Sequence, residues 1–480
     1  MIKKFDVIII GGGPAGYTTS IRMSQLGFKV ACIDNWNNIN NESALGGTCA
    51  NVGCIPSKTL LKYSQEYKNA IQNFKEYGIL IDNINIDLNL MQKKKNIIIK
   101  QINQGIKYLF KKNKIHFFHG IGSFLKKKKK YLINIKNINK ENKIIKAKYI
   151  ILATGSKPKK LNNISFDEKL ILSNIGGLSS IKKETKKICI IGAGAIGLEI
   201  GSIWNRLNID ITIFEQSSNF LSRIDKEISQ KAFQILIKQK LKIILNTKIY
   251  KIKKNKNNVL IKYSDSTNYI KNKIFDKVMI CVGRKANFKN LNIKNINLLI
   301  NKNGFIKVNK NFETNLKNVW AIGDVIGGNM LAHKSEKEGI YVAEYIFNKN
   351  KNKKNKKLSL IPSIIYTYPE IAWVGKNEEE LIKNKINYKK GIFPFIANAK
   401  ARILDSTDGI IKILAEKNTK EILGIHIIGP LASELIAIAT IIIDLKIKYK
   451  EISKICYAHP TLSEIIKEVI LSIDKKSINF

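Results

Sequence analysis

The sequence predicts an α/β protein built on two Rossmann-like dinucleotide-binding domains. Two strand–glycine loop–helix–strand units, at 5–34 and 187–215, each close on an acidic residue. The chain also has 480 residues, more than one hydrophobic core serves, so several domains are expected. Its 44% hydrophobic content is that of an ordinary globular protein.

Asp6-Val7-Ile8-Ile9-Ile10 is a β-branched run that reads as a buried parallel strand. Gly11, Gly13 and Gly16 follow at GxGxxG spacing, then a helical pattern to about Leu26 and a second strand over 28–33. Such glycines allow a tight turn, backbone approach to a pyrophosphate and close helix–strand packing. The helix N-terminus offers amides and partial positive charge to phosphates. Asp34, 18 residues past Gly16, stands where a carboxylate can accept hydrogen bonds from ribose hydroxyls.

The unit recurs. A strand over 187–191 leads into Gly192, Gly194 and Gly197, a helix over 198–207 and a strand over 209–214. Glu215 again lies 18 residues beyond the third glycine. One such loop is weak evidence; two, each with strands, helix and acid in register, are strong. A carboxylate at Glu215 binds a free 2′-hydroxyl and repels a 2′-phosphate, and no arginine follows until Arg223, so NAD is favoured over NADP. Asn208 stands where the second helix should stop, a left-handed position that asparagine fills next best to glycine.

Between the two units lies Leu45-Gly46-Gly47-Thr48-Cys49-Ala50-Asn51-Val52-Gly53-Cys54-Ile55-Pro56-Ser57-Lys58. Residues five apart on an ideal helix have Cα atoms roughly 8–9 Å apart, whereas a disulfide needs them within about 7 Å. Cys49 and Cys54 can therefore bond only if the helix is distorted between them, which Gly53 permits. A thiol pair beside a dinucleotide fold suggests a redox-active disulfide exchanging electrons with a flavin. The alternatives are part of a metal site or two unrelated core thiols. A zinc site would need two more ligands, and no His or second Cys pair lies nearby in sequence, so no metal is expected.

Cys32, Cys189, Cys281 and Cys456 occur singly, which fits reduced thiols and a cytoplasmic location. The net charge of +46 would attract polyanions without sequence preference. Lys, Asn and Ile abound throughout, however, and all three can be encoded by A and T alone. The lysines fall in Asn-Lys stretches such as 251–258 and 348–357, without interleaved aromatics, so no specific nucleic-acid partner is expected. No membrane segment is expected either: the apolar run 435–443 is too short to span a bilayer.

Nearly end to end, the chain resembles the pyridine nucleotide–disulfide oxidoreductases, and within them the branch that oxidises dihydrolipoamide. The matching segments beyond the glycine loops and thiol run are Ala153-Thr154-Gly155-Ser156, Val282-Gly283-Arg284, Ala321-Ile322-Gly323-Asp324 and Met330-Leu331-Ala332-His333-Lys334. They continue with 366–375 and His459-Pro460-Thr461-Leu462-Ser463-Glu464. The resemblance implies a FAD-binding domain over 1–153, with a meander around 117–151, and an NAD-binding domain over 154–284. A central segment over 285–355 completes the FAD site, and a C-terminal α+β dimerisation domain covers 356–480, entered through the Asn/Lys-rich linker at 348–357.

By the same resemblance, Cys49 is the interchange thiol, Cys54 faces the flavin, and the His459–Glu464 pair is the base that reaches a partner subunit's disulfide. Cofactor contacts are implied for Gly11, Gly13, Gly16, Asp34, Gly47, Thr48, Lys58, Gly122, Thr154, Gly155, Ser156, Gly192, Gly194, Gly197, Glu199, Glu215, Gly283, Asp324, Met330, Leu331, Ala332 and His333. The expected reaction is oxidation of protein-bound dihydrolipoamide to lipoamide with reduction of NAD⁺, in a homodimer whose active sites are shared between subunits. The expected partner is the lipoyl-bearing acyltransferase core of a 2-oxo acid dehydrogenase complex, or a glycine cleavage carrier protein, because no lipoyl domain precedes the first strand.

The weighed alternative is a glutathione- or mercuric-reductase-like enzyme. Glu215 speaks against the first, and the lack of cysteines after Cys456 against the second. Three departures from the family pattern stand out: Tyr457 where a histidine is common, Ala195 where a larger residue is common, and a long polar stretch over 35–43 that reads as a surface loop.

Overall fold

The computed structural model describes residues 2–38, 41–125, 131–137, 141–161, 164–179, 181–349 and 360–480. The linker expected at 348–357 lies outside the described residues from 350 onward, as do residues 39 and 40 of the polar loop. Two compact units emerge. The first comprises Met1–Thr59, Asp87–Lys159 and Gly283–Leu358; the second comprises Leu60–Ile86, Lys160–Val282 and Ser359–Phe480.

In the first unit the strand Lys3–Ile10 runs parallel to Val30–Asp34 on one side and to Asn142–Leu152 on the other, with His116–His119 added beyond Val30–Asp34. Asn142–Leu152 is long enough to pair twice along its far edge. Residues 142–146 run antiparallel to Leu132–Lys136, which pairs with Ile121–Phe124, and residues 150–152 run parallel to Val319–Ala321. These strands form the expected meander.

Val7, Ile8 and Ile9 are fully buried because the sheet is covered on both faces, as an uninterrupted apolar run requires. Val7 and Ile9 pack with residues of the helices Pro14–Gln25, Leu88–Lys112 and Ala332–Lys349, including Met23, Phe110 and Val342. Ile8 and Ile10 pack on the opposite side with Phe124, Ile133 and Ile135 of the meander. The two-residue period of the strand thus divides one hydrophobic run between two cores.

The second unit holds a parallel sheet in the order Lys242–Ile244, Asp210–Phe214, Lys187–Ile191, Lys277–Ile280, Ile171–Leu172. A three-stranded antiparallel sheet, Lys248–Lys254, Val259–Ser264 and Ile270–Phe275, accompanies it. The helix after the second glycine loop, Ala195–Arg206, is followed by Asn208 at φ 64°, the left-handed turn expected there.

The C-terminal part is α+β: five antiparallel strands in the order Ser363–Ile365, Glu370–Gly375, Ile422–Gly429, Ile410–Glu416, Tyr388–Pro394. The helices Ala432–Asp444 and Glu464–Ser472 pack Leu435, Ile436, Ile465 and Val469 onto Ile411, Ile413, Ile425 and Ile427. Among the described residues no helix is long and apolar enough to cross a membrane.

This unit also buries a lysine. Lys412 is 1% exposed by side chain and bonds Asp225 at 2.9 Å, Glu227 at 2.5 Å and Glu378. Burying a lysine is costly unless it is paired, and here three carboxylates surround it. Burial opposes ionisation of Glu378, but hydrogen bonds from Lys412 and Tyr388 hold its carboxyl down at about 2.

Candidate active site

The first glycine loop has the form its sequence requires. Gly11 lies at φ 114°, and a Cβ there would stand 2.1 Å from the carbonyl oxygen of Ala153; one at Gly16 would stand 1.7 Å from that of Gly11. No side chain fits either place. The N–H of Gly12 donates to Asp34 Oδ2 at 2.5 Å and that of Trp36 to Oδ1 at 2.7 Å, so each carboxylate oxygen is anchored. Burial nonetheless pushes the Asp34 carboxyl above its ordinary range.

Beside Asp34 a cavity of about 70 Å³ is lined by Gly11, Gly120, Gly122, Thr154, Asn287 and Asn290, among others. Thr154 Oγ1 is buried without a hydrogen-bond partner. An unsatisfied hydroxyl in a cradle of glycines and amides fits a polar cofactor.

The thiol segment folds directly onto this loop. Gly46 N–H donates to Gly12 O at 2.8 Å, and a Cβ on Gly47, at φ 57°, would stand 2.7 Å from Gly13 Cα. The helix Gly47–Val52 then carries Cys49. It stops at Gly53, whose φ −137° and ψ −112° are far from helical, and a new helix, Cys54–Gln72, begins at the second cysteine. The distortion expected between the cysteines is thus present.

Both residues are half-buried thiols, with a side-chain hydrogen bond between them. That bond and burial push the Cys49 thiol up, and the Glu336 charge adds to the effect, while the Lys58 ammonium pulls the other way. Lys58 therefore acts on the pair electrostatically, as a cation near a reactive sulfur should.

A third cluster of the same unit joins Ser156, Asp324 and Arg284. Ser156 Oγ donates to Asp324 Oδ2 at 2.5 Å, and Arg284 donates to Ser156 Oγ at 2.7 Å and to Ser156 O at 3.0 Å. The ribbon that aligns them pairs Ser156–Pro158 with Arg284–Ala286. Gly323 N–H is held by Glu338 at 2.7 Å, and Lys334 bonds Glu338 at 2.5 Å. Met330 and Leu331 immediately precede the helix Ala332–Lys349, and His333 is exposed in its first turn.

In the second unit the loop repeats the plan. Gly192 lies at φ 106°, and a Cβ there would stand 2.6 Å from Cys281 O; one at Gly197 would stand 2.1 Å from Gly192 O. Glu215 Oε2 accepts from Ala193 N–H at 2.8 Å and Oε1 from Ser217 N–H at 2.9 Å. A Cβ at Gly194 would meet nothing within 4 Å, which leaves that face of the loop open for a pyrophosphate. Glu199 is 6% exposed and accepts from Tyr366 N–H at 3.2 Å. Gly283, at φ 100°, belongs to the first unit, where its carbonyl accepts from Lys159 N–H.

The histidine pair is formed as expected. His459 Nδ1 stands 3.0 Å from Glu464 Oε1, and Glu464 Oε2 accepts from Thr461 N–H at 2.8 Å. Burial works against the charge of Glu464, but Thr461 and His459 hold its carboxyl below the ordinary range. With Nδ1 tied to a carboxylate, Nε2 is the nitrogen presented outward on a side chain 70% exposed. Tyr457 packs its half-buried ring against the C-terminal core.

The model of the pyridine nucleotide-disulphide oxidoreductases matches residues 5–339, and that of their dimerisation domain matches residues 361–470. This chain belongs to that family. It is a flavoprotein oxidoreductase whose cofactors are FAD and NAD, and its C-terminal domain is a dimerisation domain, which supports a homodimer. A dihydrolipoyl dehydrogenase of Cupriavidus necator is 40% identical over 100% of both chains. The mitochondrial dihydrolipoyl dehydrogenase 2 of Arabidopsis thaliana is 41% identical over 99% of this chain and 91% of its own. A leghemoglobin reductase of Vigna unguiculata is 39% identical over 97% and 87%. Among solved structures, the HOCl-induced flavoprotein disulfide reductase RclA of Escherichia coli, as the Cu(II) complex of its C43S mutant, has a TM-score of 0.84. It is 24% identical over 98% of this chain and 99% of its own, a likeness of fold.

Four residues beside these clusters have no counterpart among the contacts expected from sequence. Arg284 lay inside a matching segment, but only the ribbon shows it gripping Ser156. Asn287, Asn290 and Gly120 line the cavity at Asp34. The asparagines carried no usable signal, because asparagine is abundant along the whole chain.

Proposed function

We propose that this chain oxidises protein-bound dihydrolipoamide to lipoamide and reduces NAD⁺ to NADH, as the shared dehydrogenase component of 2-oxo acid dehydrogenase complexes or of glycine cleavage. The observation that carries the reading is the thiol pair itself, split by Gly53 and folded through Gly46 and Gly47 onto the first glycine loop. Gly11, Gly13, Gly16, Asp34, Gly47, Thr48, Lys58, Gly122, Thr154, Gly155, Ser156, Asp324 and the 330–333 turn would hold FAD. Gly192, Gly194, Gly197, Glu199 and Glu215 would serve NAD, and Gly283 would be a further cofactor contact, in the first unit. Bound FAD supplies the two-electron link between the thiols and NAD⁺.

With the pair as a disulfide, His459 Nε2 takes a proton from one thiol of the substrate, because only a thiolate attacks a disulfide efficiently. That sulfur attacks Cys49 Sγ; a substrate–Cys49 bond forms, the Cys49–Cys54 bond breaks, and Cys54 leaves as a thiolate. The second substrate thiol loses its proton and closes on the first sulfur, which releases lipoamide and the Cys49 sulfur. The substrate loses two electrons and the cysteine pair gains them. Lys58 steadies negative charge on the pair, and Glu464 holds the ring and balances its positive charge.

The proposal includes shared sites, each completed by His459 of the partner subunit, and a lipoyl-bearing carrier as the docking partner. It assigns FAD binding to 1–153, NAD binding to 154–284, a central segment to 285–355 and dimerisation to 356–480. A cytoplasmic location belongs to it as well, supported by the singly placed cysteines and checked by fractionation. Ala195, exposed at the first helical position, is expected to leave an open nicotinamide pocket with some oxidase leakage; negligible NADH oxidation by oxygen would refute that.

Anaerobic titration of the yellow protein with dihydrolipoamide tests the whole reading. A long-wavelength thiolate-to-flavin band should appear and Cys54→Ser should abolish it. Better turnover of glutathione with NADPH would overturn the assignment.

A further inference from the structure

The first unit holds a second cavity, of about 490 Å³, which shares no lining residue with the one at Asp34. Its long wall is a stripe of the helix Leu88–Lys112, where Asn89, Lys93, Asn96, Lys100 and Asn103 recur every three or four residues on one face. Trp36 lines it as well, and Asn51 and Val52 complete the lining from the helix that carries Cys49.

The chemistry of the lining points to one kind of ligand. Trp36 offers an indole ring, and its backbone is pinned, since its N–H is bonded to Asp34. Val52, Ile97 and Ile99 add apolar surface. The charged residues of the lining are Lys93 and Lys100, both positive, and two helical turns apart, about 10 Å. Asn103 is 6% exposed and donates Nδ2 to Leu45 O at 2.8 Å, while Asn51 donates Nδ2 to Gly47 O at 2.8 Å. Those bonds fix both amide planes and leave each Oδ1 as an acceptor.

The volume is that of a small-molecule pocket, and an aromatic wall, paired cations and fixed acceptors suit a flat nitrogenous ring with an anionic arm. We propose that this cavity binds a purine nucleoside monophosphate, its base on Trp36 and its phosphate between Lys93 and Lys100. The site is separate from both glycine loops. Its floor is the thiol helix, so occupancy bears on the segment that carries Cys49.

The test uses the FAD-loaded protein with saturating NAD⁺, so that both dinucleotide sites are filled. AMP, adenosine and inorganic phosphate are titrated calorimetrically. AMP should bind one site per chain at least tenfold more tightly than either fragment. Trp36→Ala and the double variant Lys93→Ala/Lys100→Ala should each weaken it at least tenfold, Trp36→Phe should restore most of the loss, and Lys251→Ala/Lys253→Ala should change nothing. Flavin content reports that each variant is folded. AMP binding no tighter than phosphate, equal loss in the Lys251/Lys253 control, or no binding once NAD⁺ is present would each overturn the proposal.

Discussion

At the first glycine loop Asp34 takes the N–H groups of Gly12 and Trp36; at the second, Glu215 takes those of Ala193 and Ser217. In both, one carboxylate oxygen reaches back to the middle of the loop and the other caps the residue two further on. The acids differ in length, and so do the residues they meet. A Cβ on Gly12 would stand 2.7 Å from Leu45 Cδ2 and 3.0 Å from Asp34 Cβ, whereas Ala193 carries its methyl without conflict opposite the longer glutamate.

The surroundings differ more. Gly13 has Gly47 Cα at 3.7 Å from its missing Cβ, because the thiol segment rests on the loop; Gly194 has nothing within 4 Å. The same glycine turn is therefore packed against the thiol segment in one place and left open in the other.

Matched substitutions break this comparison most sharply at the thiol segment. Gly47→Ala places a methyl against Gly13 at a left-handed residue and should shift the helix of Cys49. Dithiol turnover is expected to fall by about 10²-fold, the scale that a displacement of 1 Å can cost. Gly194→Ala, at φ −81° in open space, should leave stability within about 0.5 kcal/mol. Steady-state kinetics and thermal melts of the pair decide this.

At the third glycine both loops are closed, so Gly16→Ala and Gly197→Ala should each cost about 1–3 kcal/mol by overpacking. The first should lose flavin, and the second should stay yellow while losing NAD; absorbance ratios and NAD titration separate them. Glu215→Ala leaves two N–H groups unpaired, worth about 1–3 kcal/mol each at most. It should weaken NAD roughly tenfold or more and relax discrimination against NADP, with the flavin spectrum unchanged.

The smallest effect at neutral pH lies away from the loops, at Lys412. Glu378 is depressed to about 2 from an ordinary 4.5, so its contribution is complete above pH 4.5 and lost as pH falls through about 2. Lys412 is raised above 10.5, so its share is complete below that value and lost only at higher pH. Denaturant melts between pH 5 and 2 should show a steeper loss for the wild type than for Glu378→Gln. Equal slopes would remove Glu378 from the network.

Much of this was legible in the order of residues. The strands around both loops, the helix stop at Asn208 and the broken helix between Cys49 and Cys54 follow from short-range patterns, and the His459–Glu464 pair from the family resemblance. The first three are local rules of backbone geometry: a β-branched run, a left-handed stop after a helix, and a glycine where the backbone must bend. The grip of Arg284 on Ser156, the amide-lined cavity at Asp34 and the burial of Lys412 among three acids were not legible. Each joins residues far apart in the chain, from 34 positions for Lys412 and Glu378 to 253 for Asp34 and Asn287, and in a chain so rich in Lys and Asn a single such residue carries no signal.

By itself the sequence determined which chemistry the chain holds, because glycine turns and thiol spacing act over a few residues. Only the tertiary structure decided how closely the thiol segment packs on the first loop and which polar groups are buried, because close packing joins distant segments and sequence distance does not measure that approach.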